Sequence, residues 1–294
     1  MNRITAMIDL LISPFADYAF MRRALVASVV LSFGCTPLGV FMVLRRMTLL
    51  GDAMSHAILP GVALAFAVFG FSLLPMTLGG LAAGAIVALI AVMLTRTTQL
   101  KEDASFTMLY LLSLAAGVTI ISVKGTGVDL LHLLFGNILA IDNATLWLIG
   151  SVTIVTMFVL AIFYRGLVIE CFDPDFAAAI PHRQGLFGQG TQHIFFVLLV
   201  MNLIAAFQAM GTLMALGLMI LPAIAARFWT KNIDHAFPIS MGLALVSSFA
   251  GLLLSYYQEI PSGPAVILVA GGFALASTLV GQHKSILSYV IDRK

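Results

Sequence analysis

The sequence predicts an all-α polytopic membrane protein with about eight to nine transmembrane helices, and three observations predict it. Hydrophobic residues fill 61% of 294 positions, charged residues only 10%, and the mean hydropathy is +1.08. The apolar positions gather into runs of about 15 to 21 residues, close to the roughly 20 that cross a hydrocarbon core at about 1.5 Å each. Basic residues sit at the ends of these runs, the placement that orients helices in a bilayer. A water-soluble globule is excluded. A formal charge of +2 with no basic patch gives no footing for a nucleic-acid partner.

Residues 1–294 read as a single transmembrane domain, beginning with an N-terminal interfacial segment at 1–23. Apolar and acidic positions alternate over 5–20, which predicts a surface helix before the first span. Arg3, Asp9, Pro14 and Asp17 interrupt this stretch, so a cleavable signal peptide is not expected. Spans are predicted near 24–44, 55–71, 77–95, 105–123, 144–164, 194–208, 210–226, 239–257 and 264–281. The stretch 128–141 is too short to cross and reads as an interfacial or re-entrant helix. With the N-terminus outside and nine spans, eleven of the 15 Lys and Arg fall inside, which favours a cytoplasmic C-terminus. Arg22 and Arg23, abutting the first span, oppose that orientation at the N-terminal side. Cys35 and Cys171 are placed too differently for a disulfide framework and read as free thiols.

The one long connection, 165–192, reads as a cytoplasmic loop carrying Arg165, Glu170, Asp173, Asp175, His182 and Arg183. Within it, Asp173, Pro174 and Asp175 supply a helix cap, a first-turn proline and an early acid, a start signal for a short helix. Phe176 and Ala177 to Ala179 would give it an apolar face; the plainer reading is a solvated loop with a helical turn.

Asp52 and His56 are the candidate site. They lie four residues apart, so one helical turn brings both onto one face, where they can point at one small cation. Ionisable groups at membrane depth usually mark a pathway. The structural reading is an interfacial ion pair or a cap: Asp52 would cap a helix beginning at Ala53 while His56 faces a polar crevice. Other polar positions weigh less. Pro60 and Pro222 would kink or end spans where backbone groups face a pathway, and Glu259 at the outer end of a span would guide cations or simply occupy a turn. Asp129 and His132 on 128–141 offer an outer metal contact or an interfacial histidine. Asn202 and Gln208 suit hydrogen bonds between helices, and Gly80 with Gly84 suits close helix packing. His182, His193, His235 and His283 have no acid at ligand spacing and are given no metal role.

Taken together, several stretches resemble the permease subunits of zinc- and manganese-type ABC importers. They are Arg45-Arg46-Met47 through Gly51-Asp52-Ala53-Met54-Ser55-His56-Ala57-Ile58-Leu59-Pro60-Gly61; Leu134-Phe135-Gly136-Asn137-Ile138-Leu139; Phe172-Asp173-Pro174-Asp175-Phe176-Ala177; Gly211 through Ala223; and Tyr256 through Pro264. Each alone is modest; their order and spacing are specific. The resemblance implies a type II-importer-like permease bundle in a bacterial inner membrane, and a homodimer. It also implies a cytoplasmic ABC ATPase dimer and an extracytoplasmic solute-binding protein that delivers the metal. It makes Asp173, Pro174, Asp175, Phe176 and Ala177 the coupling helix that docks on the ATPase. No Gly-x-x-x-x-Gly-Lys-Ser/Thr motif occurs, so the ATPase is expected to be a separate chain and this one not an enzyme.

One helix offers two ligands; a two-fold axis beside it would offer four, a transient site for Zn²⁺ or Mn²⁺ as transported substrate with no permanently bound cofactor. The imidazole tilts the expectation toward zinc, with manganese next. Two other classes compete. A proton- or sodium-coupled secondary metal-ion transporter would also bury an Asp and a His, but does not require the Asp173 helix. An intramembrane zinc enzyme lacks a His-Glu-x-x-His motif here.

Overall fold

The computed structural model describes residues 11–70, 72–123, 141–172, 190–283, 285 and 286. Among these residues the regular structure is helical: a segment at 11–17, then α1 (Ala19–Leu44), α2 (Thr48–Ala57), α3 (Leu59–Phe69), α4 (Leu73–Thr97) and α5 (Glu102–Val123). There follow α6 (Asn143–Phe172), α7 (Gly190–Met210), α8 (Thr212–Arg227), α9 (Ile233–Gln258) and α10 (Ser262–Val280). Residues 128–140 of the helix expected at 128–141, with Asp129 and His132, and the one at 173–179 lie outside the described residues, as does His182.

Seven helical stretches are long and apolar enough to cross a membrane: α1, the α2–α3 stretch, α4, α6, α7, α9 and α10. The other two expected spans are shorter apolar helices, Ala104–Ile120 within α5 and Thr212–Arg227. Helices suit this environment because each backbone group is bonded within its own segment. Hydroxyls follow the same rule: Ser28, Ser32 and Thr36 of α1 donate to the carbonyls of Ala24, Ser28 and Ser32 at 2.8, 2.7 and 2.6 Å.

Helix α1 is the central post, packed by α6, α7, α8 and α9, while α2, α3, α4 and α5 form a second group joined to it through α7. Helix α10 closes the bundle against α8 and α9. Glycines set the closest approaches. A methyl group at Gly39 of α1 would sit 1.9 Å from the Met219 carbonyl oxygen of α8, and one at Gly61 of α3 the same distance from the Gly79 carbonyl oxygen of α4. Gly80 and Gly84 meet Ile58, Val62 and Val200 side chains, the close packing expected of them.

Side-chain contacts sort the helix ends into two groups, as an alternating bundle requires. At one end Tyr18 faces Tyr256, and Gln208 of α7 bonds Thr77 of α4 at 2.8 Å. At the other Arg45 pairs with Glu170, Tyr164 with Asp234, and Trp229 donates to Ser277 at 2.9 Å. Lys and Arg gather at the second group of ends, the distribution expected of a cytoplasmic side.

Two expected boundaries move. Helix α6 runs to Phe172 and α7 starts at Gly190, so the ends of the 165–192 loop are helical. The charges at Arg165 and Glu170 suggested a span end, but Glu170 is neutralised by Arg45 and the helix continues through it. Likewise α1 starts at Ala19, inside the expected 1–23 segment; the Arg22 guanidinium reaches back to the Ala16 carbonyl at 2.7 Å and keeps its charge at the helix end.

Candidate metal site

The site begins with the turn that launches α2. Met47 N donates to the Met42 carbonyl at 2.9 Å and Arg46 N to the Val43 carbonyl at 3.3 Å, the two bonds of a Schellman close. The residue in the left-handed position is Arg46, φ 58°, where glycine is usual, so this turn is held against a local cost of about 1 kcal/mol. Two residues later, at Thr48, the chain is helical again.

Helix α2 has two faces. Gly51, Met54 and Ala57 are buried, with Gly51 seated against Leu216 and Ile220 of α8. Leu49 and Asp52 are exposed on the other face, the Asp52 side chain by 60%, and His56 is half-buried at 22%. His56 Nε2 lies 3.7 Å from Asp52 Oδ1. Two donors bound at about 2.1 Å to one ion at a tetrahedral angle lie about 3.5 Å apart, so a single cation spans this gap with little adjustment. The other ring nitrogen, Nδ1, is buried with no hydrogen-bond partner among the described residues, and the ring lies 6.0 Å from that of Tyr110 on α5. Asp52 is inside the helix, four residues past its start at Thr48, so the capping role weighed for it does not hold, while the ion pair weighed beside it fits the same 3.7 Å contact. Among the described residues, no group of three His, Cys, Asp or Glu gathers at metal-binding distance.

Pro60 follows directly. It has no N–H for the His56 carbonyl four residues back, and the helix breaks at Ile58, separating α2 from α3. Pro222 lies buried inside α8, and Glu259 is an exposed residue in the left-handed conformation, φ 54°, at the far end of α9. Pro60 thus adjoins the pair, while Glu259 is at the opposite end of the bundle. Asp173, Pro174, Asp175, Phe176 and Ala177 lie outside the described residues.

The interhelical hydrogen bonds expected of Asn202 and Gln208 are present: Asn202 Nδ2 donates to Thr156 Oγ1 at 2.6 Å, and Gln208 Nε2 to Thr77 Oγ1 at 2.8 Å. A second cluster was not anticipated. Arg45 Nη2 lies 3.0 Å from Glu170 Oε2, Arg45 Nε donates to Cys171 Sγ at 3.3 Å, and the guanidinium sits 4.9 Å from the Phe195 ring centroid. The signal was a lone acid, Glu170, within the apolar run from Leu167 to Phe172, since such an acid needs a cation when drawn inward.

The whole chain has relatives of known name. It is 32% identical to the manganese transport system membrane protein MntC of Halalkalibacterium halodurans, over 94% of this chain and 91% of that one. It is 29% identical to the chelated iron transport system membrane protein YfeD of Yersinia pestis, over 97% and 92%. The fold matches PsaBC from Streptococcus pneumoniae, solved in complex with Fab, with a TM-score of 0.81 at 28% identity, covering 96% of this chain and 99% of that one. MntC and YfeD are named as membrane proteins of transport systems, not as enzymes. Residues 17–281 match the ABC 3 transport family, and the chain therefore belongs to that family, as the multi-span membrane permease of an ABC metal importer.

Proposed function

We propose that this permease carries a divalent transition metal inward, manganese first and zinc second, through a transient site made by Asp52 and His56 from each of two copies. The observation that carries this is the 3.7 Å spacing of Asp52 Oδ1 and His56 Nε2 on an exposed face of α2, with no third ligand gathered in the described part of one chain. Two copies supply two carboxylates and two imidazoles, which offset the charge of the ion in low dielectric and leave room for water. The name of MntC supports manganese; imidazole also suits zinc. A proton- or sodium-coupled carrier is not favoured, because the chain belongs to an ABC transport family.

In this reading a solute-binding protein delivers the ion at the end that carries Glu259. Pro60 and Pro222 free backbone carbonyls along the route. Asp173 to Ala177 seat on a cytoplasmic ATPase dimer, whose closure exposes the Asp52/His56 site to alternate sides. Asp52→Asn and His56→Ala should each lower uptake by more than about 100-fold, since each removes a ligand twice per dimer, while the protein still inserts and dimerises. Uptake of manganese and zinc in competition, with metal analysis of the purified complex, ranks the two ions. Wild-type uptake in the well-expressed double variant would overturn the site. For the coupling segment, Phe176→Asp should abolish ATPase association and transport together.

A further inference from the structure

Arg45 stands where three parts of the molecule meet. Its Nη2 is 3.0 Å from Glu170 Oε2 and its Nε bonds Cys171 Sγ at 3.3 Å, both in the last turn of α6. Its cation lies 4.9 Å from the ring of Phe195, in the second turn of α7. Arg45 is itself the C-cap of α1, three residues before α2 begins at Thr48. One side chain therefore grips the two stems that flank residues 173–189 and is covalently adjacent to the helix carrying Asp52 and His56.

The grip is stiff. The Arg45 side chain is 8% exposed, Glu170 19%, and Phe195 is fully buried, so the charge pair is weakly screened, Nη2 and Oε2 meeting as an ion pair and not as an aligned hydrogen bond. A planar guanidinium can present edges to Glu170 and Cys171 while its face lies on an aromatic ring; an ammonium cannot do all three. The link from Arg45 to α2 has little slack, because the Schellman bonds of Arg46 and Met47 fix the turn between them.

We infer that Arg45 is the positioning residue that passes displacement of the α6 and α7 stems to α2, with Glu170 and Phe195 as its two handles. The inference rests on the reading that Asp173 to Ala177 seat on the ATPase. A residue that only pins the fold would affect how much protein assembles. A transmitting residue affects how much metal moves per ATP.

The test uses the full permease dimer reconstituted with its ATPase in liposomes, together with the solute-binding protein, and reads manganese uptake and ATP hydrolysis on the same sample. Glu170→Gln keeps the shape and an acceptor but removes the charge; Phe195→Leu keeps apolar volume but removes the ring face. Each should lower uptake per ATP hydrolysed by about tenfold, within the range seen for residues along a coupling chain, with ATPase association retained. Arg45→Lys should behave as Glu170→Gln does. The exchange Arg45→Glu with Glu170→Arg should restore part of the ratio. If the single variants assemble poorly yet what assembles keeps the wild-type ratio, the cluster is a structural pin and the inference falls. A wild-type ratio in well-assembled variants overturns it equally. Failure of the underlying reading looks different: Phe176→Asp would keep wild-type ATPase association and uptake.

Discussion

The phenol of Tyr164 on α6 donates its proton to the carboxylate of Asp234 in the first turn of α9. The bond joins the long helix that leads into residues 173–189 to a helix on the far side of α1. Tyr164 also packs edge-on against Phe41 of α1 and Phe237 of α9, so ring and hydroxyl act at the same joint.

Tyr164→Phe keeps the ring contacts and removes only the bond. Because the pair is exposed, the loss should be no more than about 1 kcal/mol, a fall of roughly 2 °C in the thermal midpoint of the purified protein. Asp234→Asn should cost about as much, and the double variant little more than either alone, since both remove one interaction. Additive losses would show that the two residues act separately.

Asp142 gives a pH signature. Its side chain accepts from Thr145 N at 2.8 Å and so caps α6, and the hydrogen bonds from Thr145 hold its carboxyl below the ordinary value of 3.8. A carboxylate whose pKa is lowered by folding adds stability above its unfolded pKa and loses it as the pH falls through the folded one. The contribution should therefore be flat from neutrality down to about pH 4 and vanish below it. Asp142→Ala should lower stability by about 1 kcal/mol at pH 7 and by less at pH 2, where only the charge-dependent part of the cap is gone; Asp142→Asn should keep most of the cap and flatten this pH dependence. Thermal midpoints of the three proteins across that range decide it.

Glycine replacements should divide sharply. Gly39→Ala and Gly61→Ala drive a methyl group into backbone at 1.9 Å, and neither partner is a side chain that can turn away. Each should cost more than about 4 kcal/mol and leave little folded protein in the membrane. Gly150→Ala and Gly242→Ala meet nothing within 4 Å and should be neutral or stabilising by up to about 1 kcal/mol. Detergent extraction followed by size exclusion separates the two classes.

Orientation can be read by labelling. Cysteine placed at Lys231, exposed in the group of ends assigned to the cytoplasm, should react only with a reagent supplied inside. Cysteine at Glu259, exposed at the other end, should react only from outside. The reverse pattern would invert the assignment.

Most of the fold was legible because hydrocarbon imposes a simple rule on sequence: each predicted span falls on helix, the one at 55–71 on two helices that meet at Ile58. The Asp52/His56 pair was legible for the same reason, two ionisable groups at helical spacing in an apolar setting. The helix break at Ile58 was foreshadowed by Pro60. What could not be read was contact at long range. Nothing local in Arg45 says that its partner is Glu170, 125 positions away, and so α6 was ended too early, at its first charge. Gly61 and Gly79 went unremarked because a glycine declares its packing role only once the opposing backbone is known.

The glycine contacts also set which movements are open to the bundle. At Gly39 the Met219 carbonyl enters a notch one residue wide, and at Gly251 of α9 the backbone of Val266 does the same. Sliding either pair along its axis would bring a side chain into a space that holds none, so α1 with α8, and α9 with α10, are locked in register and travel as units. The three atoms nearest to a methyl group at Gly51 of α2 are the methyl ends of Leu216, Met42 and Ile220. Those ends can swing between rotamers at low cost. The seam beside the Asp52/His56 helix is thus a bearing, and the seams around it are keyed joints.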